Sequence, residues 1–181
     1  MEIVKRNEFH STTWSGGVTT ELAIGPEGSD YASRHFGWRI STATVNSGES
    51  EFTKLPGVYR HLMVLSGALE LTFESAQEDR TLGPFNQVSF DGSQKVVGRC
   101  KNSVVDFNLM LGENYFGQLE AVTVEKETTL ANIGQFLYMY VVEGSLTNPL
   151  LNIGDLGITQ EATIHLEGNA KVVVAYVDSY L

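Results

Sequence analysis

The sequence predicts an all-β fold, a sandwich or barrel of many short strands, and three observations predict it. Segments rich in Val, Ile, Thr, Tyr and Phe alternate apolar and polar residues with the two-residue period of a half-buried strand. The 18 glycines punctuate the whole chain between these segments, whereas prolines number only 4. No window of a dozen residues carries the apolar stripe and caps of an amphipathic helix. Short strands separated by regular turn signals are the pattern of sandwiches and barrels.

The strands can be placed in order. Trp38–Val45 is one, with Arg39 and Ser41 on one face and Trp38 and Ile40 on the other. His61–Leu71 reads as a strand, a turn at Ser66-Gly67 and a second strand. Val104–Leu111 sets Asp106, Asn108 and Met110 on one face against Phe107, Leu109 and Leu111. Leu119–Val124, Phe136–Val142 and Val172–Val177 complete the set. The stretch His61–Leu69 also resembles Tyr138–Leu146: each is an apolar strand, a small or acidic residue, a glycine turn and another strand. Two copies of one β unit are therefore expected. No linker rich in Pro, Ser or charge separates them, so residues 1–115 and 116–181 are expected to form two halves of one compact unit. The boundary falls near Gly112 to Gly117, and the N-terminal strands are free to pair with the second half.

Composition narrows the function. At 181 residues, with 42% apolar and 19% charged residues, the chain is a globular domain or two small fused ones. With 12 Lys+Arg against 22 Asp+Glu the formal charge is −10, the wrong sign for a nucleic-acid partner or an anionic membrane surface. A small anion held in a local pocket stays open. The single Cys100 forms no internal disulfide, the first residues lack the build of a signal peptide, and the longest apolar run, Phe136–Val142, is far too short to span a bilayer. A soluble, cytoplasmic protein is expected.

Several chemistries lack their residues. There is no dinucleotide or phosphate-binding glycine loop, and no serine stands in a Gly-x-Ser-x-Gly elbow. Cys100 has no second cysteine for zinc, and His10, His35, His61 and His165 show no close ligand spacing.

Five ordered blocks carry a resemblance. They are Trp14-Ser15-Gly16-Gly17-Val18-Thr19-Thr20-Glu21, Trp38-Arg39-Ile40-Ser41-Thr42-Ala43, Phe52-Thr53-Lys54-Leu55-Pro56-Gly57-Val58-Tyr59-Arg60, Pro84-Phe85 with Phe90-Asp91-Gly92, and Asp106-Phe107-Asn108-Leu109-Met110. In this order they are similar to the HutD/Ves family of bicupins. The resemblance implies two cupin-like antiparallel β-barrels or sandwiches, RmlC-like jelly rolls, packed together. It also raises the question of the metal that many cupins hold. Arg60 stands where the cupin pattern has its glutamate ligand. The paired histidines would fall near Thr53 or Lys54 and near Leu55 or Pro56, and the last ligand near Gln94 or Lys95. In the second half the glutamate position is Leu137, and only His165 meets an expected histidine. Neither a metal nor another cofactor is therefore expected.

What takes the metal's place is a polar set suited to an anion. Arg39 and Arg60 can hold a carboxylate by paired N–H donors, with Thr19, Glu21, Ser41, Asp106 and Asn108 nearby as donors and acceptors. Ser41 and Ala43 are small and leave volume, and Trp14 and Met63 are expected to wall the cavity. A buried structural ion pair between Arg39 and Glu21 or Asp106 is the plainer reading of the same charges.

The expected function is non-catalytic capture of a small carboxylate metabolite, with no catalytic residue assigned. The resemblance links this to histidine catabolism, with urocanate, formylated or formimino-glutamate, or formate as the ligand. The alternative is a metal-free isomerase or hydrolase on a small acid, with Glu21 or Asp106 as general base and an arginine stabilising the anion. A third reading is a protein-partner-binding module, and a homodimer is left open.

Overall fold

Alternation in the sequence becomes sixteen strands in the computed structural model, which describes residues 1–74 and 78–180. They are β1 (Glu2–Val4), β2 (His10–Trp14), β3 (Gly17–Gly25), β4 (Trp38–Val45), β5 (Gly48–Glu51), β6 (Val58–Ser66), β7 (Leu69–Phe73) and β8 (Glu78–Leu82). There follow β9 (Gln87–Asp91), β10 (Val96–Cys100), β11 (Val104–Gly112), β12 (Tyr115–Ala131), β13 (Phe136–Asn148), β14 (Leu150–Asn152), β15 (Leu156–Thr159) and β16 (Thr163–Ser179). Among the described residues every strand pairing is antiparallel, and no sheet closes into a barrel. No helix among the described residues is long and apolar enough to cross a membrane.

The chain divides into two compact units, and the division is not a single cut. One unit is contiguous, His10–Asn114; the other joins Met1–Phe9 to Tyr115–Leu181.

The contiguous unit is a sandwich. A six-stranded sheet in the order β2-β3-β4-β11-β6-β9 and a four-stranded sheet in the order β5-β10-β7-β8 share one core. Its apolar side chains alternate inward from both sheets: Ala43, Val45, Leu62, Val64, Val88, Phe90 and Val104 from one, Leu69, Leu71, Phe73, Leu82, Val96 and Cys100 from the other. The turn expected at Ser66-Gly67 is present, with Gly67 at φ +85° between β6 and β7. Two glycines next to β2 and β3 are set by close approach. A Cβ on Gly16 would lie 2.0 Å from the Trp14 ring, and one on Gly17 would lie 1.9 Å from the Thr44 carbonyl oxygen.

The second unit is built on one sheet in the order β1-β15-β13-β16-β12, with β14 on β13. Its core gathers Val124, Leu130, Leu137, Met139, Val141, Leu146, Leu151, Ile164, Leu166, Val172 and Val174. Strands expected to be short are long here: β12 and β16 pair continuously from Tyr115↔Ser179 to Ala131↔Thr163. The polar stretch Glu125–Thr129 stays paired to β16, which satisfies its backbone groups, although Lys126 takes φ +72° within the strand. The Glu143-Gly144 turn expected from the internal likeness is a β-bulge instead. β13 runs straight through it, the register slips between Val141 and Glu143, and Gly144 takes φ +70° within the strand.

The first residues belong to this second unit through Asp155. Its carboxylate, 4% exposed, accepts from Lys5 Nζ at 2.9 Å and from the backbone amides of Arg6 and Asn152, each at 3.0 Å. Burial alone would raise its pKa, but the Asn152 amide, Lys5 and the Arg6 amide outweigh that and hold the carboxyl below its ordinary value. The stability it contributes is therefore full above the ordinary Asp range and lost as pH falls through the depressed value. Asp155→Ala leaves three donors without their acceptor. It is expected to cost about 1–3 kcal/mol and to remove this acid-side loss, as read from urea midpoints against pH.

Candidate functional site

The inward face of the six-stranded sheet changes character along its length. Leu62 and Val64 feed the core, whereas Arg39, Ser41, Arg60, Asp106, Asn108 and Met110 line a cavity of about 270 Å³. Registry brings them together: Arg60 lies opposite Met110, Ser41 opposite Asn108, and Ala43 opposite Asp106. Thr12, Trp14, Thr19, Tyr31, Ala43, Val45, Ser50, Glu51, Phe52 and Thr53 complete the wall.

Arg60 is 5% exposed and has no carboxylate at ion-pair distance among the described residues. Its Nη1 donates to the Thr53 carbonyl at 3.2 Å and its Nη2 to Asn108 Oδ1 at 3.4 Å, while Nε is buried with no acceptor. The guanidinium carbon lies 5.0 Å from the Phe52 ring centre and 5.3 Å from that of Phe90. Burial draws its pKa down to about 10, against the opposing pull of Tyr31 and Asp106 and with a small further push from Arg39.

Arg39 is differently held. Its Nε donates to Glu21 Oε2 at 2.7 Å and its Nη1 to Ser41 Oγ at 3.4 Å, and its guanidinium stacks 3.9 Å from the Tyr31 ring centre. Trp14 Nε1 donates to Thr19 Oγ1 at 3.2 Å, and the indole is partly exposed at the rim.

Asp106 is 2% exposed and receives one hydrogen bond among the described residues, from Asn108 Nδ2 to Oδ1 at 2.5 Å. Burial pushes its carboxyl up to about 7, and Arg60 and the Asn108 amide resist only in part. Asn108 thus bridges the acid and the cation through the two ends of one amide.

Of the residues expected at the site, Trp14, Thr19, Arg39, Ser41, Arg60, Asp106 and Asn108 line the cavity. Glu21 is not in its lining and reaches it through Arg39. Met63 does not wall the cavity: alternation along β6 puts Arg60, Leu62 and Val64 on one face and Met63 on the other, where it is 1% exposed. Tyr31, Phe52 and Phe90 are additions. Phe52 and Phe90 stand in the family-like blocks, but nothing local tells that their rings seat an arginine. Tyr31 lies in the connection between β3 and β4 and carries no signal at all.

The cavity's donor set does not fit the metal of metal-binding cupins. A guanidinium occupies the place of the glutamate ligand, and among the described residues no group of three His, Cys, Asp or Glu side chains gathers anywhere. What the arrangement can do is accept an anion. Arg60 keeps N–H donors beyond the two it spends on protein groups, and the Phe52 ring lies against it.

Known proteins agree with this architecture. The family model described as HutD matches residues 6–177. The conserved protein PA5104 of Pseudomonas aeruginosa PAO1 superposes with a TM-score of 0.84 at 23% identity, covering 98% of each chain. HutD from Pseudomonas fluorescens SBW25, in a formate condition, does so with a TM-score of 0.82 at 21% identity over 99% of each chain. A cupin 2 conserved barrel domain protein from Leptotrichia buccalis matches with a TM-score of 0.61 at 10% identity, covering 98% of this chain and 96% of that one. These likenesses show the cupin fold.

Proposed function

The chain belongs to the HutD family, and from that premise we propose that it is a non-catalytic, metal-free binding protein for a small carboxylate, serving histidine utilisation. The observation that carries the reading is Arg60, a buried guanidinium with donors to spare on a cavity of about 270 Å³. That volume lies at the small end of ligand pockets and suits an acid of few atoms. Aromatic walls from Trp14, Tyr31 and Phe52 favour a flat or apolar remainder over a second charged group.

The test is a thermal-shift screen of chelator-treated protein against formate, urocanate, formylglutamate, glutamate and histidine, with divalent metals as a separate arm. A carboxylate at a hundredfold excess over its dissociation constant adds about 2.7 kcal/mol and raises Tm. Stabilisation by a metal alone, or by no carboxylate, overturns the reading.

One observation favours a second reading, a metal-free isomerase or hydrolase on the same acid: burial lifts Asp106 to about 7, where a general base works best. Glu21 is unsuited to that role because Arg39 holds it. Turnover of a stabilising acid, followed by NMR and lost in Asp106→Asn, would establish the enzyme.

A further inference from the structure

Resting on the carboxylate reading, we propose that the cavity takes its anion together with one proton, and that the proton sits on Asp106.

The charge count around the cavity points there. From β4 comes Arg39, already matched by Glu21 of β3 at 2.7 Å. From β6 comes Arg60; the other titratable groups of that strand, Tyr59 and His61, are absent from the lining, and His61 pairs with Ser89. β11 brings Asp106 itself, β5 brings the exposed Glu51, and the β3–β4 connection brings Tyr31. With Asp106 ionised, the buried charges cancel and no cation is left for a ligand. With Asp106 neutral, Arg60 alone is uncompensated, and one carboxylate matches it.

The bonding of Asp106 agrees. A carboxylate stabilised as the anion usually accepts two or three N–H bonds, whereas Asp106, 2% exposed, accepts one among the described residues. Asn108 gives it one Nδ2 hydrogen, while the amide oxygen accepts from Arg60. An incoming carboxylate adds a like charge beside Asp106 and raises its pKa further, from a value already near 7. Binding and protonation therefore favour each other, and by linkage the effect is reciprocal.

The experiment is calorimetric titration of formate into the protein between about pH 6 and pH 9, a range in which carboxylate ligands stay ionised. Repeating each titration in buffers of different ionisation heat counts the protons taken up. Uptake should approach one proton per formate near pH 8.5, and affinity should fall by up to about tenfold per pH unit above neutrality. Asp106→Asn should abolish the uptake and bind more tightly than wild type near pH 8.5. Formate binding with no uptake and no pH dependence overturns the proposal and leaves the carboxylate reading standing. Uptake that persists in Asp106→Asn places the proton elsewhere and overturns it as well. Absence of formate binding at every pH, with the other acids also silent, removes the carboxylate reading and this inference together. The uptake count is made on wild-type protein, so it stands even if the variant folds poorly.

Discussion

Truncating Phe90 to alanine is expected to destabilise the sandwich by about 3–5 kcal/mol, the range for losing a buried aromatic ring. The ring is 5% exposed and meets Phe73 edge-on at 5.5 Å and Phe52 at 6.2 Å, a chain of T-shaped contacts across the two sheets. Phe90 also lies 5.3 Å under the Arg60 guanidinium. Removing it opens a void beneath a buried cation whose Nε already lacks an acceptor. Phe90→Leu keeps much of the volume and loses the π face, so it should recover most of the stability but less of the ligand affinity. Urea midpoints for the two variants, set beside formate titrations, check this. Equal stability of Phe90→Ala and wild type would contradict the packing described here.

Arg60→Met should separate binding from stability. Methionine fills most of the same volume without a charge, and a buried charge with no ion-pair partner carries a desolvation cost that the change removes. The change leaves Asp106 without its cation, and its carboxyl then stays protonated at neutral pH. Stability is therefore expected to hold or rise. Carboxylate affinity is expected to fall by about a hundredfold, equivalent to about 2.7 kcal/mol, within the range for truncating one partner of a buried charge pair. Arg60→Lys restores the charge but not the planar fork, so it should recover only part of the affinity. A thermal melt and a formate titration on each protein decide it. Unchanged affinity in Arg60→Met would move the ligand away from this cavity.

Much of the site could be read from the sequence because strand alternation is a local rule. Arg39 with Ser41, and Asp106 with Asn108 and Met110, share faces by period alone, and their strands come out where the pattern put them. The same rule, carried along β6, places Met63 away from the cavity that it was expected to wall. Phe52 and Phe90 meet Arg60 across distant parts of the chain, and Tyr31 reaches Arg39 from a connection with no periodic pattern. Such meetings depend on tertiary geometry and have no local trace. The Gly144 bulge shows the limit from another side: the same residue order that turns the chain at Gly67 leaves β13 unbroken, because β16 pairs with both sides of the irregularity.

The pairing of β1 with β15 bears on how the protein is made. Glu2, Ile3 and Val4 lie opposite Ile158, Gly157 and Leu156, so β1 waits for a partner strand made only after the whole sandwich. The sandwich between them is contiguous and can mature as soon as residue 114 is clear of the exit tunnel. Synthesis thus delivers a finished cavity while the other unit is still open. Closing that unit joins segments separated by the whole sandwich, a slow, long-range step. Already folded, the sandwich shortens that search by holding residues 10 and 114 at a fixed separation.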